Sequence, residues 1–243
     1  MSWPSPADPF YLYNTSEANA RRTYYSVSGI PDGAVDGTSI YPGSPNGWNA
    51  INAASQVAPG VTLDVTGAFD DMILEGELDI SIYPAATVAG NHVLHTVLVE
   101  DDIYSGGSTH QWVMRDMIPS ASGTPVNLVF GEWTDVSLAF SVPDPISPEN
   151  ARLVVFVQNP STKEVHNAYS VPVLSILVQC DNAQGDLIDL GNINVQDLVL
   201  MVSIIMGTAE DQEYCTYKAA DVNEDTYTNI QDVILLVEMI LGG

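Results

Sequence analysis

The sequence has few cationic residues and no long apolar run. Its 243 residues include six Lys and Arg against 31 Asp and Glu, which gives a formal net charge of −25 at pH 7. Nucleic-acid binding requires clustered Lys and Arg, and an anionic membrane surface repels an acidic chain, so the composition argues against both partners. No stretch reaches the roughly 20 apolar residues of a membrane helix, and we therefore expect no membrane insertion.

Cysteine is almost absent as well. Cys180 and Cys215 are the only two, and no Cys-x-x-Cys motif occurs. Thiol–disulfide exchange of the thioredoxin type needs such a dithiol, so an oxidoreductase could be present only as a form truncated before its reactive pair. The first ten residues show neither a basic nor an apolar signal region, so a secreted protein would have its leader outside this sequence.

The clearest positive feature is an internal repeat with an offset of 35 residues. Residues 194–207 align with residues 229–242, and seven of the fourteen aligned pairs are identical. The same offset relates Asp186 to Asp221 and Cys180 to Cys215. Each copy consists of an acidic loop, an apolar helix and a glycine. Because the cysteines occupy equivalent positions of one duplicated unit, we predict a disulfide between them, which is typical of an oxidising compartment.

The second loop has the spacing of a calcium site. Oxygen-bearing side chains fall at positions 1, 3, 5, 9 and 12 of a twelve-residue loop that precedes a helix, and position 7 would contribute its carbonyl. The expected ligands are Asp221, Asn223, Asp225, the Tyr227 carbonyl, Asn229 and Asp232. One departure from the pattern is Thr226, which occupies the position where glycine usually makes the sharp turn.

The first loop is less complete. Positions 3 and 5 are Ile188 and Leu190, which supply no side-chain oxygen, although the turn glycine Gly191 is kept. The remaining candidate ligands are Asp186, Asn192, Asn194 and Asp197. We expect one calcium ion in loop two and a weak or absent site in loop one. The alternative is that both loops are metal-free turns whose acids cap the following helices.

Residues 180–243 resemble the type I dockerin domains. The resemblance rests on the terminal Asp of each loop, the Asn-x-x-Asp motif followed by four apolar residues, and the tandem copy. It implies a small all-α module that is stabilised by Ca²⁺ and bound by a cohesin-like partner. The implied recognition positions are Val195, Gln196, Ile230 and Gln231, and their similarity permits two near-equivalent orientations.

The helices predicted at 198–206 and 233–241 are apolar nearly all round, whereas a surface helix shows one apolar stripe. They must therefore pack against each other, against the rest of the chain, or against a partner, which could be a second copy of the protein.

The middle of the chain predicts an antiparallel β-sandwich. Short β-branched or alternating segments are separated by Gly, Pro and Asn turns. The predicted strands are 61–65, 77–82, 93–100, 112–117, 136–140 and 153–158. The region before them predicts a helix at 14–26, a strand–turn–strand around Ile30-Pro31 and a helix at 46–56. This is the order of the second half of a thioredoxin fold, in which such an Ile–Pro bond is commonly cis.

Residues 1–170 as a whole resemble the Omp28-related family of secreted bacterial proteins. The segments that carry the resemblance are Trp3-Pro4, Asp8–Tyr11, Asn19–Tyr25, Gly29–Pro31, Asp36-Gly37, Val97–Asp101, Leu153–Asn159 and Lys163–Val165. The fold class is thus multidomain and mainly β. It combines a truncated thioredoxin-like α/β segment at 1–56, an antiparallel β-sandwich at 57–177 and an all-α dockerin-like domain at 178–243.

Three functions compete. The first is a non-catalytic binding or assembly protein, extracellular or on the cell surface, that interacts through its dockerin-like module. The second is a polysaccharide-active or other extracellular enzyme tethered by that module, and the third is the truncated oxidoreductase.

Catalytic candidates are sparse. Acids at 100–102 and at 70–71 could form carboxylate pairs, but acids are common throughout. His92 and His95 are three residues apart on a predicted strand, which places them on opposite faces.

Overall fold

The computed structural model describes residues 8–41, 43–210 and 212–242 and divides them into two compact units. The first unit contains the described residues up to Phe69 together with Leu74–Ile176. The second contains Asp70–Ile73 and the described residues from Leu177 onward. The sequence separated residues 1–56 from the strands that follow, whereas the first unit contains the described residues 8–41 and 43–56 together with nearly all of the strand residues. Trp3 and Pro4 lie outside the described residues. No helix in the described part of the chain is long and apolar enough to span a membrane.

The first unit begins with helices and a small hairpin. In order these are α1 (Pro9–Tyr13), α2 (Thr15–Tyr24), β1 (Gly33–Val35), β2 (Thr38–Ile40) and α3 (Pro45–Ala54). Asp8, Asn14 and Ser44 cap the three helices with their side chains. The sequence did not predict α1, but the order from α2 to α3 agrees with the prediction, and the Ile30–Pro31 bond is cis. Since β1 and β2 pair only with each other among the described strands, the thioredoxin-like assignment stays a prediction.

Antiparallel strands make up the rest of the first unit. Their bounds are β3 (Thr62–Asp70), β4 (Glu75–Tyr83), β5 (His92–Glu100), β6 (Ile103–Ser105), β7 (Ser108–His110), β8 (Val113–Ile118), β9 (Thr124–Val126), β10 (Thr134–Ser141), β11 (Ala151–Gln158) and β12 (Val165–Pro172). One sheet has the order β10-β4-β3, and a second has the order β12-β11-β5-β8 with β9 paired to β5. Strands β6 and β7 form a separate hairpin.

Each of the two larger sheets has a buried face, and the central strand β5 of the five-stranded sheet is largely buried on both faces. Alternate residues of β4 and β11 are fully buried, among them Leu78, Ile80, Leu153 and Val155. Period-two burial in two antiparallel sheets is the pattern of a sandwich, so the chain is mainly β, as the sequence indicated. Turns that the sequence marked with Gly, Pro and Asn separate most of the predicted strands.

The second unit contains three helices: α4 (Val195–Ile205), α5 (Tyr214–Ala220) and α6 (Ile230–Gly242). Leu187, Met201, Ala219, Ala220 and Leu236 form its buried core. Helices α4 and α6 pack against each other, which is one of the arrangements expected from their sequence. Helix α5 is absent from the sequence prediction, because its seven residues are too few to show an apolar period.

Candidate calcium-binding loops

The first acid of each loop is buried and organises the turn that follows it. Asp186 accepts hydrogen bonds from the backbone N–H groups of Leu190 and Gly191, at 3.1 and 2.7 Å. Asp221 accepts the equivalent bonds from Asp225 and Thr226, at 3.0 and 2.8 Å. Each carboxylate therefore folds positions 5 and 6 of its loop back over position 1. The two loops share this geometry although their middle residues differ.

The last acid of each loop joins the loop to the following helix. Asp232 is fully buried and accepts the backbone N–H of Asn229 at 2.8 Å and that of Asn223 at 3.1 Å. Asp197 makes the same pair of bonds to Asn194 and Ile188, at 2.8 and 3.1 Å. Each carboxylate thus closes a capping arrangement at the helix start and also holds position 3 of the loop.

Loop two adds polar side chains at its middle positions. The Asn223 amide oxygen accepts the Asp225 N–H at 3.0 Å, and an Asp225 carboxylate oxygen accepts the Tyr227 N–H at 2.9 Å. The Asn229 amide group donates to the Tyr227 carbonyl at 2.9 Å. The side chains of the six expected ligand positions, apart from Tyr227, are therefore linked with one another or with the loop backbone. Loop one presents Ile188 and Leu190 at positions 3 and 5, and Leu190 is largely exposed.

The sixth position shows how closely the two loops correspond. Gly191 has φ +73° and Thr226 has φ +74°, and the fourth positions, Asp189 and Glu224, are also left-handed. Glycine adopts this region freely, whereas a β-branched residue is strained there. Thr226 therefore keeps the loop conformation at a conformational cost that loop one does not have.

The charge of loop two suits a hard cation. Asp221, Asp225 and Asp232 contribute three carboxylates, and neither ion pair found among the described residues involves any of them. Buried carboxylates without a counter-charge are costly. No three His, Cys, Asp or Glu side chains in the described part of the chain are arranged to hold a metal by themselves. A calcium ion at loop two would therefore also use the amide oxygens and the Tyr227 carbonyl, which are ordinary calcium ligands.

A disulfide connects Cys180 and Cys215, with their Cα atoms 5.3 Å apart. The predicted bridge is thus formed, and it joins the equivalent positions of the two repeats. It ties Cys180, which precedes loop one, to the first turn of α5, which leads into loop two.

The paired helices expose one apolar stripe each. On α4 the exposed residues are Val195, Val199, Val202 and Ile205, followed by Met206 directly after the helix, and on α6 they are Ile230, Ile234 and Leu241. Gln196 and Gln231 are exposed beside the first residue of each stripe. All four residues that the dockerin resemblance marks for recognition are therefore on the surface.

The carboxylates weighed as catalytic groups have structural partners. Glu100 is buried and forms an ion pair with Arg115 at 2.6 Å. Asp101 accepts the Trp112 N–H, and Asp102 bonds with the Gln111 side chain. In the second unit, Asp71 accepts from the Tyr214 hydroxyl and from Lys218, each at 2.9 Å. Burial and Asp71 raise the pKa of Tyr214. These acids are engaged in hydrogen bonds and do not form a pair facing a common cleft.

His92 and His95 lie on opposite faces of their strand, as the sequence predicted. His95 stacks on Phe156, whereas His92 contacts His166, so the two residues face opposite sides of β5. Sequence reasoning did not find the contact between His92 and His166, because it depends on strand register.

Comparison with known proteins identifies a shared fold. No family model matches the chain, and no curated protein matches its sequence. HBP35 of Porphyromonas gingivalis matches with a TM-score of 0.59 and 14% identity, over 73% of this chain and 64% of that one. At this identity the match shows the fold alone, and the chain spans slightly less than two thirds of that protein's length.

Two further structures match with TM-scores too low to establish a common fold. A domain of the outer membrane lipoprotein Omp28 from Porphyromonas gingivalis has a TM-score of 0.37 and 17% identity, over 47% of this chain and 88% of that one. A β-glucosidase 3B from Thermotoga neapolitana has a TM-score of 0.27 and 17% identity, over 47% and 16%. An Omp28 domain is thus among the structural neighbours, while the glycosidase match gives no basis for an enzymatic function.

Proposed function

We propose that this protein is a non-catalytic binding and assembly protein, secreted or on the cell surface, whose C-terminal unit is a calcium-stabilised dockerin-like module. The observation that supports this most strongly is the matched hydrogen bonding of the two loops. Asp186 and Asp197 in loop one, and Asp221 and Asp232 in loop two, accept backbone N–H groups at equivalent positions. A duplicated loop-and-helix unit of this kind is what the dockerin resemblance implies.

Calcium would bind at loop two. The ligands would be Asp221, Asn223, Asp225, Asp232 and the Tyr227 carbonyl, with Asn229 directly or through water. Loop one would bind calcium weakly or not at all, because Ile188 and Leu190 contribute no oxygen. The ion would offset two of the three negative charges of the carboxylates and would hold positions 1 to 12 of the loop against α6.

The partner would bind the exposed stripes of α4 and α6. A cohesin-like protein is the occupant that the resemblance implies, and a second copy of this chain is the alternative. Exposed apolar side chains that are clustered on one element and flanked by polar residues are typical of interaction surfaces. The disulfide supports an extracellular or surface location, since structural disulfides persist in oxidising compartments.

Calorimetry with calcium tests the metal site. We expect one calcium ion per chain, and we expect Asp225→Asn to weaken its binding at least tenfold. Glu224→Gln is the matched control, because it removes one carboxylate at a loop position that does not point to the metal in this motif. Equal binding by the parent and Asp225→Asn would refute the site.

A capture experiment tests the interface. The full chain is immobilised in calcium or in chelator and exposed to secreted proteins from its source. We expect calcium-dependent capture of one partner, or self-association measured by sedimentation, and loss of either with Val199→Lys plus Ile234→Lys. Val129→Lys, an exposed valine of the first unit, is the control. Retention of every partner by the double variant would show that the helix stripes are not the interface.

A further inference from the structure

Two histidines of the first unit lie ring to ring at one end of the five-stranded sheet. His92 is the first residue of β5 and His166 is the second residue of β12. Their ring centroids are 5.1 Å apart and their planes are inclined at 58°. Strand β11 lies between the two strands, so the contact spans the end of β11.

A β-bulge produces this contact. Val157 pairs with Asn167 and Gln158 pairs with Val165, which leaves His166 as the extra residue of β12. Bulges redirect a side chain and are common beside functional sites. His92 shares its strand face with Leu94, which is fully buried, because alternate residues of a strand point the same way. The bulge therefore turns the His166 ring toward the core-facing side of the sheet.

Both rings have an unsatisfied nitrogen. The Nε2 atoms of His92 and His166 are each buried and have no hydrogen-bond partner in the described part of the chain. His92 is only 4% exposed. A buried polar atom without a partner costs about 1–3 kcal/mol and calls for an explanation, such as a bound ion.

The ring separation suits a shared metal ion. Zinc binds imidazole nitrogen at about 2.0–2.1 Å, which places each ring centroid roughly 3.2 Å from the metal. At a near-tetrahedral angle, two such rings have centroids about 5 Å apart, and the observed separation is 5.1 Å. Imidazole is a preferred ligand of zinc, copper and nickel.

Solvent can complete the coordination. His166 also lines a cleft of about 600 Å³, together with Glu164 and Asp36. Among the described residues, no third His, Cys, Asp or Glu is positioned with the pair. We propose that His92 and His166 form a two-histidine site for a divalent first-row transition metal ion, with zinc as the type case and water from the cleft in the remaining positions.

Zinc calorimetry on the full chain tests the site. The protein is first saturated with calcium, so that the acidic loops do not compete for zinc. We expect one zinc ion per chain, and we expect His92→Gln and His166→Gln each to weaken binding at least tenfold. His110→Gln is the control, since His110 lies on the β7 hairpin and contacts the Ser105 carbonyl. Unchanged binding by both site variants, or an equal loss with the control, would overturn the proposal.

Nitrogen NMR of the parent protein tests the site without a variant, so the result does not depend on whether a variant folds. On addition of zinc to ¹⁵N-histidine-labelled protein, the Nε2 resonances of His92 and His166 should shift together, while those of His95 and His110 stay in place. A shift confined to His110, or no histidine shift at saturating zinc, would contradict the site.

Discussion

Thr226 has an unfavourable backbone conformation and His95 an unfavourable buried environment, and in both cases the surrounding residues impose it. Thr226 has a left-handed backbone because the Asp221 carboxylate holds its N–H at 2.8 Å. His95 is 3% exposed, stacks on Phe156 and leaves its Nδ1 without a partner in the described part of the chain. The first feature could be suspected from the sequence, since glycine is usual at that loop position. The second could not, because burial of one strand face depends on the packed sheets.

Replacing Thr226 with glycine should stabilise the second unit. Glycine adopts φ +74° without strain, and the relief should raise the free energy of unfolding by about 1 kcal/mol after the entropic cost of glycine is subtracted. Far-UV circular dichroism during denaturation, to which α4, α5 and α6 contribute, measures the change. Gly191→Ala is the reciprocal control, because an added Cβ there meets no atom within 4 Å and only backbone strain should destabilise it. A Thr226→Gly protein that is less stable than the parent would show that Thr226 is not strained.

The stability of the first unit should depend on pH through His95. Burial, with a smaller effect of Arg21, lowers the pKa of His95 to about 4, whereas the unfolded value is about 6.5. The unfolded chain therefore binds the proton first. The stability that the folded state gains from keeping His95 neutral is fully present above pH 6.5 and is lost as the pH falls through 4. Between pH 7 and pH 5 it should decrease by about 2 kcal/mol.

Tryptophan fluorescence in urea measures this effect, because Trp48, Trp112 and Trp133 belong to the first unit and no tryptophan follows residue 133 in the sequence. His95→Phe keeps an aromatic ring against Phe156 but cannot be protonated. The variant should lose about 2 kcal/mol less than the parent between pH 7 and pH 5. Equal losses in the two proteins would show that His95 does not titrate in this range.

At the scale of elements, the repeat predicts more than the position of its helices. The sequence placed the helices at 198–206 and 233–241, but α4 begins at Val195 and α6 at Ile230. Asn194 caps α4 while Asp197 bonds back to its N–H, and Asn229 and Asp232 are placed in the same way. The residues predicted to end the calcium loop therefore also form the first helical turn. One carboxylate can therefore cap the helix in the absence of metal and also serve as a calcium ligand.

Grafting two oxygen ligands into loop one should create a second calcium site. The loop already has the backbone geometry of loop two, and Ile188→Asn plus Leu190→Asp supplies the missing positions 3 and 5. The stoichiometry in calorimetry should increase from one to two calcium ions per chain. Ile188→Ala plus Leu190→Ala is the matched control, since it removes the same apolar groups without adding oxygen, and it should bind one. An unchanged stoichiometry in the graft would mean that loop one cannot close around a cation.

At the scale of the whole molecule, the sequence predicted the local features well and the non-local ones poorly. Strand alternation, turn residues and the repeat predicted most of the strands, helices α4 and α6 and the disulfide. Three features depend on which segments become neighbours: the pairing of Glu100 with Arg115, the bulge at His166, and the grouping of the described residues before position 57 with the strands. Periodicity within one segment contains no such information.

The net charge should make the stability of the whole chain depend on salt. With 31 acids against six Lys and Arg, the compact state is opposed by repulsion between like charges. Added salt screens this repulsion over about 10 Å at 0.1 M. The two ion pairs found among the described residues are too few to reverse the effect. We therefore expect the melting temperature in chelator to rise by several degrees between about 0.01 and 0.5 M sodium chloride. Sucrose at equal osmolality is the control for solute exclusion, and a melting temperature that falls with sodium chloride would show that attractive pairs dominate the electrostatics of the fold.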